Sequence, residues 1–402
     1  MNFPQAISLA SGRPDAGFFD LQNSLGKLEV FVRQQMAASQ QSRDFILEEL
    51  GQYNKAQGII AGHLSRLFAK DEGIVADPAD IIVTVGAQEA MLLVLHTLCH
   101  PDYHTIAVEN PTYPGFSLYP KIAGFDLAPV HFRNGNLDLE ELEEKIAVAN
   151  ANNKPIRLLY VIPDFQNPSG SCMSLETREV LLENAKKHDF YILEDNAYGY
   201  FRYEGEKIPA IKSLDRENRT IYIGSFSKVL FPGIRLAGLV AGQKFQLGNQ
   251  EVSLSHEMTK LKGYVTLNSP SITQAILGGY LIENDFSFQN LIFPKVEACR
   301  IKRDALVAAL QEYLGKFKSQ ITWNVPQGGF FLSLQLPFRV SDADVMECAK
   351  RFGVIFCPMS MFYLNGKGGE NEIRLAFSHV ELSKIKEAVF RLCQFVQSKI
   401  NL

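Results

Sequence analysis

Short apolar runs alternate with amphipathic stretches along the middle of the chain, from about Pro78 onward. The runs are rich in Val, Ile and Leu and have the length of buried strands, while the stretches between them repeat apolar residues at helical spacing. Strands are predicted over residues 81–85, 105–108, 158–162, 190–193 and 221–223. Helices are predicted between them, among them residues 88–98 and 175–187. Because strands that alternate with helices form βαβ units, we expect an α/β fold with a mainly parallel sheet.

The pattern changes after about Phe288. A long amphipathic stretch over residues 293–313 precedes the segment ITWNVPQGGFFLSLQL, which predicts a strand, a turn at Gly328 and Gly329, and a second strand. A closing strand is predicted around residues 373–376. These elements indicate a smaller α+β domain.

The chain has 402 residues, more than one usual domain, so we expect two domains that share a core. We predict a large domain over residues 46–285 and a small C-terminal domain over residues 286–402, with an N-terminal segment over residues 1–45 that joins the small domain. Hydrophobic residues make up 46% of the chain and charged residues 21%, as in ordinary globular proteins. The net charge of -4 leaves no basic excess, which argues against a nucleic-acid partner.

The six cysteines are scattered and none forms a Cys-x-x-Cys pair, so neither a zinc site nor a redox motif is indicated. The first residues, MNFPQAISLASG, lack the basic region and apolar core of a secretory signal. No apolar run in the sequence is long enough to span a bilayer. We therefore expect a cytoplasmic protein with no metal and no membrane partner.

The segment IYIGSFSKVLFPGIRLAG, residues 221–238, places one lysine just past a predicted strand. Burial there, with a cationic neighbour, would lower the pKa of Lys228 and make its amine nucleophilic. Ser225 and Ser227 precede this lysine and Arg235 follows it, and two hydroxyls with an arginine fork suit a phosphate group. A reactive amine beside a phosphate site is what pyridoxal phosphate requires. A lysine in a polar surface loop would give the same local pattern.

Two further strand ends carry residues that suit such a cofactor. Gly86, Ala87 and Gln88 follow the strand IIVTV and open the next helix, where free N–H groups and the helix dipole favour a phosphate. A plain strand-to-helix turn explains these three residues equally well. Asp195 ends the hydrophobic strand YILED, where an ionised carboxylate can pair with a protonated pyridine nitrogen. The alternative for Asp195 is a helix N-cap.

Together these motifs resemble those of the fold-type I pyridoxal-phosphate aminotransferases of class I and II. The resemblance runs from Ile7 to Ser378 and is closest to the branch of the aminoadipate and kynurenine aminotransferases and the aminotransferase-like domains of bacterial regulators. It implies a three-layer α/β sandwich with a mainly parallel sheet, which binds the cofactor, and a smaller α+β domain. It also implies transfer of the amino group of an L-amino acid to a 2-oxo acid through an aldimine at Lys228, with ping-pong kinetics.

The resemblance assigns cofactor contacts residue by residue. Tyr113, in ENPTYPG, matches the aromatic residue that stacks on the pyridine ring. Asn167, in DFQNPSG, and Tyr198 match the residues that hydrogen-bond the phenolate oxygen, and Asp195 matches the partner of the pyridine nitrogen. The phosphate is assigned to residues around the helix start and the lysine: Gly86, Ala87, Gln88, Ser225, Ser227 and Arg235. The catalytic residues implied are Lys228, Asp195 and Tyr198.

Substrate and subunit contacts follow from the same resemblance. Arg374, in NEIRLAFS, matches the arginine that binds the substrate α-carboxylate as a bidentate pair. Gly12 and Asn167 are implied as further substrate contacts. Tyr53, in YNKAQG, matches a tyrosine that reaches the phosphate of the neighbouring subunit, which implies a homodimer with shared active sites.

Several positions depart from the family pattern. Lys55 stands where proline is usual, Arg13 where the branch has leucine, and Met359 where glycine is usual. Arg13 either recognises a distal acidic group of the substrate or is simply exposed. These departures leave the cofactor contacts intact, and they leave open which amino donor and acceptor the protein uses.

Three other functions fit parts of the sequence. Ser225 and Lys228 form a Ser-x-x-Lys pattern like that of penicillin-binding hydrolases, but the Lys-Thr-Gly triplet of that fold is absent from the sequence. Regulators with related domains carry a DNA-binding segment, and because the resemblance begins at Ile7 we expect a stand-alone enzyme. The same cofactor residues also support elimination, deamination or cyclisation of a specialised amino acid, and this alternative stays open.

Overall fold

The fold is that of a computed structural model, which describes residues 3–133, 135–248 and 250–400. Within these residues the strands are β1 (Ile7–Ser8), β2 (Ile81–Thr84), β3 (Thr105–Asn110), β4 (Asp126–Arg133), β5 (Asn136–Leu137), β6 (Ile156–Val161), β7 (Tyr191–Asn196), β8 (Thr220–Ser225), β9 (Ala237–Val240), β10 (Lys244–Leu247), β11 (Gln250–Ser253), β12 (Thr322–Trp323), β13 (Phe331–Gln335), β14 (Val354–Ile355), β15 (Cys357–Pro358) and β16 (Glu372–Ala376). The α-helices are α1 (Leu21–Ser39), α2 (Arg43–Gly51), α3 (Ala61–Glu72), α4 (Ala87–Leu98), α5 (Pro114–Ile122), α6 (Leu139–Ala151), α7 (Leu175–His188), α8 (Ile211–Leu214), α9 (Leu254–Val265), α10 (Ser271–Glu283), α11 (Gln289–Leu314), α12 (Asp342–Glu347) and α13 (Leu382–Ile400).

Eight strands form one large sheet in the order β2–β9–β8–β7–β6–β3–β4–β5. Neighbouring strands from β8 to β4 run parallel, whereas β9 is antiparallel to both β2 and β8, and β5 is antiparallel to β4. The strands predicted from apolar runs are β2, β3, β6, β7 and β8, with ends that differ by a few residues. The expectation of an α/β fold with a mainly parallel sheet is therefore confirmed.

Helices cover both faces of the large sheet, because its central strands are apolar on both sides. In β6, Leu158 and Tyr160 face the core that also holds side chains of α3, α4 and α10. Leu159 and Val161 face the opposite core, under α6 and α7. This alternation follows from the two-residue period of a strand, and it gives the three-layer sandwich that the resemblance implied.

The carboxyl ends of six strands meet at one edge of the large sheet: β2, β3, β4, β6, β7 and β8. Strands β3, β4, β6, β7 and β8 run parallel, and β2 has the same direction because β9 reverses the chain between β2 and β8. Ligands of such sheets bind beyond the carboxyl ends of the strands. Polar residues that follow different strands are therefore brought together at this edge.

A second, antiparallel sheet has the order β12–β13–β16–β15. Helices α11 and α13 pack on it, and their apolar side chains, such as Leu306, share a separate core with Leu332 and Leu375. The N-terminal segment contacts both parts, since β1 pairs with β14 whereas α1 places Phe31 in the core of the large sheet. The domain boundaries expected from the sequence stay a prediction.

Across the three described ranges, no helix combines the length and the apolar character needed to cross a membrane. In the same residues, His, Cys, Asp and Glu side chains form no group of three that could hold a metal ion. The six cysteines are free thiols, and Cys172 and Cys357 are the two that are partly accessible.

Candidate active site

A cavity of about 300 Å³ opens at the carboxyl edge of the large sheet, where β13 and β16 of the second sheet also reach it. Most of the residues singled out in the sequence line it together: Gly12, Ala87, Gln88, Tyr113, Asn167, Asp195, Tyr198, Ser225, Ser227, Lys228, Arg235 and Arg374. These residues lie far apart in the chain. Most of them meet because they lie at the ends of different strands that share one edge, whereas Gly12 comes from the N-terminal segment and Arg374 from β16 of the second sheet.

Gly86 and Tyr53 are predicted site residues that do not line this cavity. Gly86 has a φ of 75° and precedes α4, and a Cβ there would lie 2.7 Å from Nη2 of Arg235. Only glycine therefore allows this turn its conformation and allows Arg235 to approach it. Tyr53 is 83% exposed, and its contact with a neighbouring subunit stays a prediction.

The start of α4 lies at one side of the cavity, and its exposed chemistry suits an anion. No side chain of the described residues caps the N-terminus of this helix, so the N–H groups of its first turn, from Ala87, remain available. Arg235 lies against the same turn, where its Nη2 donates a hydrogen bond of 3.4 Å to the carbonyl oxygen of Val85. Ser225 and Ser227 add hydroxyl groups to the same cavity. Helix N–H groups, hydroxyls and a guanidinium together are the chemistry that binds a phosphate.

Lys228 lies in the turn after β8 and lines the cavity. Its Nζ donates a long hydrogen bond of 3.3 Å to the carbonyl oxygen of Gly12 and lies 6.0 Å from the ring centroid of Tyr198. Burial lowers the pKa of Lys228 to about 8; the charge of Asp195 opposes this lowering and that of Arg374 adds to it. The amine therefore titrates near physiological pH, as a nucleophile or a general base requires.

Asp195 is 3% exposed and lies inside β7, which excludes the alternative of a helix N-cap. Its Oδ2 accepts a hydrogen bond of 2.7 Å from the hydroxyl of Tyr160, whereas its Oδ1 has no hydrogen-bond partner among the described residues. Burial raises the pKa of the Asp195 carboxyl to about 6, and the Tyr160 hydroxyl and Lys228 lower it. A buried carboxylate oxygen without a donor is unfavourable. The site therefore suits a donor that the chain does not itself supply.

Arg374 lies in β16 and is 7% exposed. Its Nη1 donates to Oδ1 of Asn167 at 2.7 Å and its Nη2 to the carbonyl oxygen of Ala10 at 2.6 Å, while Nε has no partner among the described residues. The guanidinium also lies over the rings of Phe331 and Phe362, 4.4 Å and 4.6 Å from their centroids. Burial lowers the pKa of Arg374, but an arginine stays charged at neutral pH. Arg374 is thus a fixed cation beside the cavity.

Two tyrosines, Tyr113 and Tyr198, also line the cavity. The Tyr113 hydroxyl accepts a hydrogen bond of 3.1 Å from Nε2 of Gln88, and Gly115 leaves room for this contact, since a Cβ there would lie 2.2 Å from the same Nε2. Tyr198 packs edge-on against Phe331, with 5.5 Å between the ring centroids. Burial raises the pKa of the Tyr198 hydroxyl, which therefore stays protonated and able to donate a hydrogen bond.

Sequence reasoning missed several residues of this site. Tyr160 contacts Asp195, and Met91, Ile162 and Phe331 line the cavity. The sequence contains a weak indication that Tyr160 belongs to the site, because it is the one side chain with a polar end in the apolar run LLYVI. It contains no such indication for Phe331, because this residue reaches the cavity from the second sheet and its neighbours in the chain are equally apolar.

These residues fit pyridoxal phosphate. The uncapped start of α4 with Arg235 suits its phosphate, and the unpartnered Oδ1 of Asp195 suits the N–H of a protonated pyridine ring. Lys228 presents an amine of lowered pKa to the same cavity, where it can bind an aldehyde. The fit rests on three separate features of the chain, a helix start, a strand and a turn.

Comparisons with known proteins agree with this fit. Residues 24–392 match the family described as aminotransferase class I and II. The (S)-3,5-dihydroxyphenylglycine transaminase of Amycolatopsis orientalis is 36% identical over 399 residues, which cover 99% of this chain and 90% of that protein. A transaminase therefore shares nearly the whole length of the chain.

Two solved structures extend the agreement to the fold. The multiple substrate aminotransferase of Thermococcus profundus has a TM-score of 0.85 at 28% identity, with 100% of this chain and 93% of that chain covered. The kynurenine aminotransferase of Pyrococcus horikoshii, solved in complex with PMP, has a TM-score of 0.83 at 27% identity, with 98% and 92% covered. The chain therefore belongs to the aminotransferases of class I and II, in the branch of the aminoadipate and kynurenine aminotransferases, and is a transaminase that depends on pyridoxal phosphate.

Proposed function

We propose that this transaminase takes the amino group of L-amino acids with aromatic side chains and passes it to a 2-oxo acid. The observation that carries the proposal is that Lys228, Asp195 and Arg374 line one cavity, which offers an amine, a carboxylate and a cation for an amino-acid carboxylate. Tyr113 and Phe331 give this cavity aromatic walls. The names of the relatives, a dihydroxyphenylglycine transaminase and a kynurenine aminotransferase, also support an aromatic substrate.

The proposal gives each polar residue of the cavity a role toward the cofactor. Lys228 binds the cofactor aldehyde covalently, and Oδ1 of Asp195 accepts a hydrogen bond from the ring nitrogen. Asn167 and Tyr198 hydrogen-bond the phenolate oxygen, and Tyr113 stacks on the ring. The phosphate is held by the turn before α4 and by the serines and arginine near the lysine: Gly86, Ala87, Gln88, Ser225, Ser227 and Arg235. When bound, the cofactor supplies an electron sink for the charge that develops at the substrate Cα.

The substrate amine would displace Nζ of Lys228 from the cofactor aldehyde carbon, and the freed lysine would then move the proton. Its pKa of about 8 leaves a useful fraction of neutral amine at physiological pH, and this amine takes the proton from the substrate Cα. The carbonyl oxygen of Gly12, 3.3 Å from Nζ, holds the amine inside the cavity. The proton is then returned from the same Nζ, so that base and acid are one group held beside the reacting atoms.

Arg374 orients the substrate. Its two Nη atoms are already fixed by Asn167 and Ala10, and its Nε, which has no partner in the described ranges, can donate to a carboxylate. A charge-assisted bond from this fixed cation places the Cα without reorganising the arginine. Gly12 lets the ring of Phe331 pack against the backbone of the adjoining wall, since a Cβ there would lie 2.6 Å from that ring.

A half-reaction tests the proposed function. Cofactor-loaded protein is mixed with a panel of L-amino acids and no oxo acid, and conversion of the cofactor from its aldehyde to its amine form is followed by absorbance. Aromatic donors are expected to react faster than aliphatic and acidic ones. Faster reaction of aliphatic or acidic donors would overturn the proposed substrate class. Release of an oxo acid while the cofactor stays in its aldehyde form would instead indicate deamination or elimination, which the names of the relatives do not favour.

The proposal includes a homodimer in which Tyr53 completes the partner's phosphate site. The exposed Tyr53 supports this, as does the exposed end of α9, where Tyr264 is 91% accessible. The test is a hybrid dimer of one Tyr53→Phe chain and one Lys228→Ala chain. If Tyr53 acts across the interface, the one site with an intact lysine binds cofactor with wild-type affinity. If Tyr53 acts within its own chain, that site keeps the weakened affinity of the Tyr53→Phe protein.

Two further expectations from the sequence remain proposals. The first is a cytoplasmic location, which fractionation of cells followed by immunoblotting tests. The second is the domain division at residues 46 and 286. Because Ile46 and Phe286 are themselves buried, limited proteolysis is expected to cut beside them, in the exposed segment at residues 40–42 and at the exposed Asp285, before it cuts within the large sheet.

A further inference from the structure

Tyr160 is a fully buried tyrosine whose hydroxyl contacts a polar atom of the site. It lies in β6, next to β7, on the same face of the sheet as Asp195. Its hydroxyl donates a hydrogen bond of 2.7 Å to Oδ2 of Asp195. Its ring stacks on that of Phe116, with centroids 3.9 Å apart and planes 6° from parallel. Packing and strand geometry therefore fix the position of this hydroxyl.

The hydrogen bond from Tyr160 makes the two oxygens of the Asp195 carboxylate inequivalent. Oδ2 is directed to Tyr160, and Oδ1 is left without a partner among the described residues, on a side chain that lines the cavity. A free carboxylate could rotate and present either oxygen. Because Oδ2 is hydrogen-bonded to Tyr160, only Oδ1 is available to a ligand. The orientation of Oδ1 is therefore fixed before the ligand binds.

We propose that Tyr160 is a positioning residue for Asp195, holding the carboxylate in its ionised form with Oδ1 directed at the ring nitrogen of the cofactor. This inference rests on the proposed role of Asp195 and adds to it the group that makes the role possible. Tyr160 itself does not contact the cavity and acts only through the carboxylate.

The charged and titratable groups around Asp195 agree with this role. Burial raises the pKa of Asp195 to about 6, while Tyr160 and Lys228 lower it. Glu109 and Tyr198 also face this carboxylate, and burial raises the pKa of each, so that both favour their neutral forms. Tyr160 is therefore the neutral donor that most directly favours the carboxylate, and without it the pKa of Asp195 would rise above 6.

The test measures binding of pyridoxamine phosphate, not turnover. Its dissociation constant is measured between pH 5 and pH 9 for the wild type and for Tyr160→Phe, and the ratio of the two constants is taken at each pH, which removes the titration of the ligand itself. We expect Tyr160→Phe to bind several-fold more weakly near pH 7 and the ratio to fall toward one at higher pH, where Asp195 is ionised without help. Tyr280→Phe is the matched control, because it removes a buried hydroxyl that pairs with Ser24 instead.

Two comparisons make the outcome decisive. If Asp195→Asn weakens binding while Tyr160→Phe equals the wild type, or if the ratio does not change with pH, the positioning role is overturned and the role of Asp195 stands. If Asp195→Asn also binds normally, the proposed role of Asp195 fails, and that of Tyr160 with it. Should Tyr160→Phe fold poorly, a fluorinated tyrosine inserted at position 160 is used instead. Its more acidic hydroxyl donates a stronger bond and is expected to extend tight binding to lower pH.

Discussion

The cavity has two walls that differ in how their polar groups are satisfied. On the wall formed by the large sheet, Oδ1 of Asp195 has no partner among the described residues, and Nζ of Lys228 makes a hydrogen bond of 3.3 Å. On the opposite wall, Arg374 donates through both Nη atoms at 2.7 Å and 2.6 Å, and only its Nε has no partner among the described residues. It is held by the chain before any ligand arrives.

The difference indicates what each wall binds. Buried groups with unused hydrogen-bonding capacity are unfavourable until a ligand contacts them, and on the large-sheet wall we propose that this ligand is the cofactor. A cation already fixed by two acceptors is prepared for a ligand that comes and goes, as a substrate does. The predictions below test this division of the cavity into a cofactor wall and a substrate wall.

The largest effect is expected from Lys228→Ala on the cofactor wall. This change removes the proposed covalent attachment and the base, so turnover should fall by about 10⁴-fold or more. The cofactor should still bind, because the proposed phosphate contacts at α4 and Arg235 are untouched. Turnover and retention of cofactor after gel filtration are the two measurements. Lys186→Ala, on the exposed face of α7, is the control and should change neither. Substantial turnover in Lys228→Ala would contradict the assignment.

The next largest effect concerns a buried ion pair beneath the cofactor wall. Nζ of Lys262 lies 3.0 Å and 2.9 Å from the two carboxylate oxygens of Glu89, and its side chain is fully buried. Glu89 in turn accepts a hydrogen bond of 2.6 Å from the N–H of Val85, in the turn before α4. Lys262→Met leaves this carboxylate unpaired and should lower the free energy of unfolding by about 3–5 kcal/mol.

A double variant checks the cause of that loss. Glu89→Gln with Lys262→Met removes both charges, so the free energy of unfolding should return most of the way to the wild-type value. Urea unfolding of the cofactor-free protein is the measurement for the wild type and both variants. A double variant as unstable as Lys262→Met alone would show that lost packing, and not the unpaired charge, is responsible.

The cofactor wall was largely predictable from the sequence, and the reason is physical. Lys228 and Asp195 end or follow apolar strands, and parallel strands bring their carboxyl ends together whatever the details of packing. Local patterns of Val, Ile and Leu were therefore enough to place these residues at one edge. The roles assigned to them remain proposals, but their convergence in one cavity is observed.

The substrate wall could not be predicted in the same way. Arg374 is 207 residues from Asn167 in the chain, and their hydrogen bond depends on how the second sheet packs on the first. Phe331 and Phe362 lie under the guanidinium for the same reason. No periodicity encodes such contacts, because each segment satisfies its own strand or turn pattern equally well without them. The resemblance supplied Arg374, but not the rings that surround it.

A moderate effect is expected from Arg374→Lys on the substrate wall. Lysine keeps the charge but cannot donate to Asn167, Ala10 and a carboxylate in one plane. The KM for the amino acid should rise about 10- to 100-fold while kcat changes less, because a charge-assisted hydrogen bond contributes about 1.5–3 kcal/mol. Half-reaction kinetics separate the two constants. Arg13→Lys, an exposed arginine near the same wall, is the control and should leave the KM for aromatic donors unchanged. A large fall in kcat without a rise in KM would place Arg374 with the cofactor wall.

The smallest expected effect is on the free energy of unfolding. Replacing Lys228 should remove activity but increase the stability of the cofactor-free protein. Burial lowers the pKa of Lys228 from 10.5 to about 8, so between these values the unfolded chain holds a proton that the folded chain has lost. The free energy of unfolding of the cofactor-free wild type should therefore rise with pH from 8 to 10.5. Below pH 8 the buried amine is charged, and its destabilising effect no longer changes with pH. Lys228→Met, which is uncharged and of similar length, should be more stable than the wild type by about 1–3 kcal/mol at pH 7, and the gain should shrink as the pH rises through that window. Urea unfolding at a series of pH values measures it. If Lys228→Met is less stable than the wild type at pH 7, the charged amine is well accommodated without cofactor, and the contrast between the two walls is lost. If Lys228→Met is more stable, the cofactor wall keeps an unfavourable buried cation because its chemistry requires one.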